Sequence, residues 1–109
     1  MDTFFVRCSM HEAEMKLDRH IIDGSITGTC IGRHMTGTVG QMTVVIIYEK
    51  HYYRAGNRLT LTVVLDDTTG KTRVFTCSGG GGQGLFRFDW GAAESFKNAA
   101  FNALRSYVT

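Results

Sequence analysis

The residues of this chain that could bind a ligand are concentrated in one stretch, the glycine run of residues 79–84 and the residues after it. Five of the thirteen glycines fall within these six positions. Backbone amides left open by successive glycines can bind an anion, and an arginine and a tryptophan follow closely in the sequence. The predicted ligand-binding residues are Gly80, Gly81, Gly82, Gln83, Arg87 and Trp90.

The glycine run also matches the pattern Gly-x-Gly-x-x-Gly, at Gly79, Gly81 and Gly84. A dinucleotide site of that kind requires a helix directly after the last glycine, so that its first amides meet the pyrophosphate. Here the strand-like segment 85–88 follows instead, and the lysine of a P-loop is absent. The run is therefore interpreted first as a flexible connection, with a loop for a small anion as the alternative.

The histidines and cysteines do not form a pattern typical of a catalytic or metal site. The four histidines form no His-x-x-x-His pair, and Cys8, Cys30 and Cys77 form no Cys-x-x-Cys pair. A zinc site needs three or four ligands, and a nucleophilic cysteine needs a histidine partner. We therefore predict no catalytic residue, no metal and no cofactor, and favour a non-catalytic protein over an enzyme.

Length, charge and cysteine count narrow the class of protein. The 109 residues suit a single domain over residues 1–109. The net charge of +2 comes from scattered basic residues, so binding of nucleic acid through its phosphates is not indicated. The longest aliphatic run, residues 44–47, is too short to cross a membrane, and an odd number of cysteines argues against a disulfide framework. These features predict a cytoplasmic protein without a nucleic-acid or membrane partner.

Two predicted helices flank a series of strand-like segments. A helix is predicted over roughly residues 10–23, because Ser9 and Glu12 have the spacing of a capping box and apolar residues recur at helical spacing. A second helix begins at Asp89 or Gly91. The strand-like segments are 3–8, 25–32, 35–40, 42–54, 58–65 and 71–78, with a short further one at 85–88. The predicted class is α+β in the order β-α-β-β-β-β-β-α, an antiparallel sheet of five to six strands with two helices packed on one face.

The segment 42–54 does not alternate between apolar and polar residues. Its four consecutive aliphatic residues, 44–47, place side chains on both faces of the sheet, and the two helices can cover only one face. An uncovered apolar patch is typical of an interface, and two-fold pairing is the commonest arrangement, so we predict a homodimer or a higher homo-oligomer. The predicted interface residues are Val45, Ile47, Tyr53 and Val64. The alternative is that a hairpin formed by residues 25–41 covers this face.

Two segments, IIYEKHYYRAGNRLTLTVVL (46–65) and SGGGGQGLFRFDWGAAESF (78–96), resemble small single-domain bacterial proteins of unknown function. In these proteins a tyrosine-rich strand, a hairpin, a Gly-Gly-Gln-Gly run and a Trp-Gly helix start occur in this order. The resemblance implies a bacterial cytosolic protein and assigns no catalytic residue. The favoured function is therefore that of a non-catalytic domain that self-associates through its sheet. The alternative is a binder of a small ligand or anion that uses the loop 79–84 and the start of the last helix.

Overall fold

The computed structural model describes residues 2–52, 57–79 and 90–109, with Asn57 and Trp90 described by their backbone alone. The strands are β1 (Thr3–Val6), β2 (Thr29–Thr38), β3 (Gln41–Tyr52), β4 (Asn57–Asp66) and β5 (Thr72–Gly79). The helices are α1 (Met10–Asp18), which continues into a π-helical turn (Arg19–Asp23), and α2 (Trp90–Leu104), which continues into a 3-10 turn (Arg105–Tyr107). The predicted α+β class and both predicted helices are confirmed.

The five strands of the described residues form one antiparallel sheet in the order β1-β5-β4-β3-β2. Strands β2 to β5 are neighbours both along the chain and in the sheet, which is the arrangement of successive hairpins. Strand β1 instead pairs with β5, so that Thr3 lies opposite Phe75 and Val6 lies opposite Thr72. The first strand therefore lies at one edge of the sheet and β2 lies at the other.

The outer edge of β1 is covered by residues 107–109. The Arg7 N–H donates to the Tyr107 carbonyl at 2.9 Å, and the Thr109 N–H donates to the Phe5 carbonyl at 3.1 Å. This pairing satisfies backbone groups that an open edge would present to another chain.

The prediction of two strands at 25–32 and 35–40 is wrong, because β2 is a single continuous strand. Strand β3 extends beside the whole of β2 and provides a partner across the predicted turn, where Arg33 pairs with Ile46. The register shifts once, between Cys30 and Gly32. A β-bulge of this kind accommodates an irregularity in the strand without ending it.

The turn between β2 and β3 falls at Val39 and Gly40. Gly40 has a φ of +91° and Gly37, three residues earlier, has a φ of +90°, a region that glycine adopts without steric cost. A Cβ atom on Gly37 would lie 2.0 Å from the Gln41 carbonyl oxygen, whereas a Cβ atom on Gly40 would have no atom within 4 Å. Gly37 is therefore required both by its backbone conformation and by the space around it.

One face of the sheet carries the hydrophobic core. Alternate residues of the two central strands have no exposed surface there: Val44, Ile46, Tyr48, Leu59, Leu61, Val63 and Leu65. The helices contribute equally buried residues to the same cluster: Ala13, Leu17, Phe96, Ala100 and Leu104. Both helices therefore pack on one face of the sheet, as predicted.

Helix α1 begins at the predicted cap. The Ser9 Oγ accepts a hydrogen bond from the Glu12 N–H at 3.1 Å, which satisfies one of the first-turn amides that a helix leaves unpaired. The buried residues Met10, Ala13 and Leu17 lie on one stripe of the helix, and this stripe belongs to the hydrophobic core.

Candidate functional site

The sheet face opposite the two helices, called here the open face, is the first candidate site. Val45 lies opposite Val64, and Val64 lies opposite Phe75, so these three side chains form an apolar row across three neighbouring strands. Ile47 follows Val45 on the same face of β3. Val45, Ile47 and Val64 are half-buried and Phe75 is 41% exposed. The predicted interface residues Val45, Ile47 and Val64 thus lie together on one surface.

The segment 25–41 does not fold over this face, contrary to the alternative considered from the sequence. Its strand β2 continues the sheet at the edge of β3 and pairs along it. Both helices lie on the opposite face. Within residues 2–52, 57–79 and 90–109, no element covers the open face.

Threonines and two ion pairs surround the apolar row. At one end of the face, the Arg73 Nε lies 2.9 Å from the Asp66 Oδ2, and toward the other end the Arg58 guanidinium lies 3.4 Å from the Glu49 carboxylate. Each pair joins one positive and one negative group, so neither end carries a net charge from these residues. An apolar centre with a polar rim is the usual anatomy of a protein interface.

Asp66 is held by hydrogen bonds that make the stability of this end depend on pH. Burial by itself raises the pKa of Asp66, but the hydrogen bonds from Arg73 and Thr68 together outweigh burial and hold this pKa below its ordinary value of 3.8. The Thr68 hydroxyl donates to the Asp66 Oδ1 at 2.8 Å. The ionised carboxylate is therefore the form that the fold stabilises.

We expect acidification to remove the contribution of Asp66 to stability. Because its pKa is lower in the folded than in the unfolded chain, the contribution is complete above the unfolded pKa and is lost as the pH falls through the folded pKa. Asp66→Asn is expected to lower the free energy of unfolding by about 1 kcal/mol near neutral pH, and this difference is expected to shrink as the pH falls below the ordinary value of 3.8. Urea denaturation of both proteins at about pH 7 and about pH 3 measures it, and an equal difference at the two pH values would contradict it.

The three free cysteines differ in exposure. Cys77 is exposed and lies opposite Thr62 on the open face. Cys8 is buried, and burial, followed by the nearby charge of Glu12, raises the pKa of this thiol. A thiol that stays protonated at neutral pH is a poor nucleophile, so Cys8 is not suited to catalysis. Cys77 is a natural chemical probe of the open face.

A polar cluster between α1 and the sheet is the second place where chemistry could occur. The Tyr48 hydroxyl donates to the Asp18 Oδ1 at 2.6 Å, and Arg33 donates to Asp18 at 2.8 Å and to Glu14 at 2.7 Å. Burial, and then the hydrogen bond to Asp18, raises the pKa of Tyr48 well above its ordinary value of 10.0. A phenol with such a pKa does not exchange protons near neutral pH. The cluster therefore serves to join α1 to β2 and β3.

Most of the predicted ligand-binding loop falls outside the described residues. These residues are Gly80, Gly81, Gly82, Gln83 and Arg87, and the same holds for the interface residue Tyr53 and the strand-like segment 85–88. Trp90 is the first residue of α2, and only its backbone is described. The anion-binding role of the loop stays a prediction.

Phe75 and Cys77 belong to the open face, although the sequence reasoning did not select them. In β5 the buried residues Val74 and Thr76 alternate with the exposed residues Phe75 and Cys77, but the sequence does not show this alternation, because the buried Thr76 is polar and the exposed Phe75 is apolar. This period of two is typical of a strand with one covered and one open face. Which residues of β3 and β4 lie beside them depends on strand order and register.

The described part of the chain contains neither a metal-binding cluster nor a membrane-spanning helix. Among residues 2–52, 57–79 and 90–109, no group of three or more histidine, cysteine, aspartate or glutamate side chains could hold a metal ion. No helix in these ranges has the length and apolar character needed to cross a membrane.

The fold and the open face define an α+β domain with helices on one side of its sheet. The sequence matches the Family of unknown function (DUF6054) over residues 3–108, and the chain belongs to this family. No curated protein and no solved structure matches the chain.

Proposed function

We propose that this protein acts as a homodimer in which the open faces of two copies stack about a two-fold axis. Its role is that of a non-catalytic assembly domain in the bacterial cytoplasm. The observation that carries the proposal is the apolar row of Val45, Val64 and Phe75, on a face that no element covers within the described residues. Such patches on folded proteins are typical of interfaces.

The charges of the open face favour a second copy of the chain as the partner. The Arg73–Asp66 pair and the Arg58–Glu49 pair are each neutral. Two copies can therefore stack in a two-fold arrangement without placing ends of like net charge against each other. These neutral pairs would not attract a strongly charged partner, because electrostatic complementarity requires opposite potentials on the two surfaces.

The size of the open face suits a small dimer interface. Five strands spaced about 4.8 Å apart are about 24 Å wide, and a strand of about eight residues is about 26 Å long. The face thus offers about 600 Å² per copy, or about 1,200 Å² in total, which lies at the lower end of the range for specific interfaces. We therefore expect a dimer that dissociates in the micromolar range.

Val45→Lys is expected to convert the dimer to a monomer, because stacking would bury two ammonium groups without partners. Sedimentation equilibrium at micromolar concentration measures the change. Val39→Lys is the matched control, since it makes the same substitution at a turn residue that is 92% exposed, and it is expected to leave the dimer intact. A wild-type chain that is monomeric throughout, or a Val45→Lys chain that stays dimeric, would contradict the proposal.

Cys77 gives a second readout of the same interface. Its thiol is exposed in the single chain, so its alkylation by iodoacetamide is expected to slow as the wild-type concentration rises through the dissociation constant. The Val45→Lys chain is expected to react at a rate independent of concentration. A wild-type dimer whose Cys77 reacts at a constant rate would place the interface on another surface.

A further inference from the structure

A cavity lies at one end of the sheet and is called here the end cleft. Its volume is about 510 Å³, within the range of small-molecule sites. Three segments that are far apart in sequence line it: residues 7–14, which join β1 to the first turns of α1, residues 35–42 around the β2–β3 turn, and residues 67–72 around the β4–β5 turn. The lining residues do not include Val45, Ile47, Val64 or Phe75, so the end cleft is independent of the proposed dimer interface.

Sulfur-containing side chains form the apolar part of the lining. Cys8 and Met10 are buried at 6% and 8% exposure, Met42 is half-buried, and Met35 is 54% exposed. Thioethers are flexible and polarizable, and they adapt to apolar groups of different shape. Val39 adds an aliphatic side chain from the tip of the β2–β3 turn. This lining suits an aliphatic or aromatic body.

The two carboxylates that line the end cleft each contact another part of the fold. The Glu14 carboxylate lies 2.7 Å from the Arg33 guanidinium. The Asp67 Oδ1 accepts a hydrogen bond from the Met42 N–H at 2.8 Å. Each acid therefore already makes one contact within the fold, through one of its two oxygens.

The basic side chains of the same lining have unused donors. Lys71 and His11 make no side-chain hydrogen bond or ion pair with any residue of the described ranges. Arg7 donates to the Ser106 carbonyl at 2.8 Å, and its guanidinium has further N–H groups. The polar side chains of this lining that lack a partner in the described ranges are thus hydrogen-bond donors.

We infer that the end cleft binds a small organic anion with an apolar body, of the class of medium-chain carboxylates. The carboxylate contacts Lys71 and Arg7, because hydrogen bonds between charged groups are the strongest that this lining offers. The hydrocarbon chain packs against Met35, Met42 and Val39. A neutral ligand would leave the basic groups without a charged partner. An anion without an apolar body would leave the methionine side chains of the lining in contact with water.

Isothermal titration calorimetry of the wild-type protein with octanoate, octanol and acetate tests this inference. Octanoate is expected to bind tightest. Octanol lacks the charge and acetate lacks the chain, so each is expected to bind more weakly by about tenfold or more. Absence of octanoate binding, or octanol binding as tight as octanoate, would overturn the inference.

Substitutions separate the two parts of the site. Lys71→Gln is expected to weaken octanoate binding about tenfold and to leave octanol binding unchanged, whereas Met35→Gln is expected to weaken both. Lys71 and Met35 are exposed, so neither change should affect folding, which circular dichroism verifies. Lys50→Gln is the matched control, because Lys50 does not line the end cleft and the same charge is removed.

Two outcomes would contradict the assignment of octanoate to the end cleft. Equal octanoate affinities of the wild-type, Lys71→Gln and Met35→Gln proteins would place the octanoate elsewhere. A dimer that is lost in Val39→Lys but retained in Val45→Lys would show that a second copy of the chain occupies the end cleft. Failure of the sheet-face dimer alone does not affect the inference, because the two surfaces share none of these residues.

Discussion

Phe96→Ala is expected to lower the free energy of unfolding by about 3–5 kcal/mol. Phe96 has no exposed surface and lies on α2, with its ring centroid 5.6 Å from that of Tyr52 on β3. Truncation removes the buried ring and leaves a cavity between α2 and the sheet that surrounding side chains fill only in part. Urea denaturation measures the loss, and an unchanged m-value would show that the cooperative transition is retained.

Phe75→Ala is the matched control for this prediction. It removes the same side chain from the opposite face of the sheet, where Phe75 is 41% exposed. At a concentration where the chain is monomeric, Phe75→Ala is expected to lower the free energy of unfolding by less than about 2 kcal/mol. The reason is that Phe75 buries less apolar area than Phe96 does. Equal losses for the two variants would contradict the assignment of α2 to the core face. A larger Phe75→Ala loss at high concentration would add support to the dimer.

Gly37→Ala is expected to destabilise the protein by about 3 kcal/mol, the sum of two costs. The first is a φ of +90°, which costs a residue with a Cβ about 1–2 kcal/mol. The second is steric, since the new Cβ would lie 2.0 Å from the Gln41 carbonyl oxygen, and forced overlap typically costs about 1–3 kcal/mol. Chemical denaturation gives the value.

Gly40→Ala separates these two costs. Gly40 has a nearly identical φ of +91°, but a Cβ atom there would meet nothing within 4 Å. Its substitution is therefore expected to cost about 1–2 kcal/mol from backbone strain alone. Equal costs at Gly37 and Gly40 would mean that the turn relaxes away from the clash, and the β2–β3 register at Gly37 would then need revision.

The features that were predicted correctly depend on residues close together in sequence. The start of α1 follows from the Ser9 side chain and an amide three residues later, a contact that needs no tertiary structure. The sequence predicts strands β3, β4 and β5, and the structure confirms them. They are neighbours in the sheet as well as along the chain. Both helices lie on one face because their apolar stripes need a common partner.

The error at β2 shows where local patterns fail. Glycines within 25–41 weaken strand formation and favour a break, but β3 has twelve residues and offers a ladder along the whole length of β2. Pairing with a long neighbour outweighed the local preference, which is the usual limit of β-propensity. The chain therefore turns at Val39 and Gly40, and not at the predicted position within β2.

The sequence by itself determined that aliphatic side chains would occupy both faces of the sheet. A strand with one buried and one solvent-exposed face alternates apolar and polar residues, and Val45 and Ile47 interrupt this alternation. Only the tertiary structure decided that Phe75 lies beside Val64 and that three separate segments line the end cleft. Periodicity and capping are set by neighbouring residues along the chain. Strand order and the meeting of distant turns are set by which pairings bury the most apolar surface, and this depends on the whole chain at once.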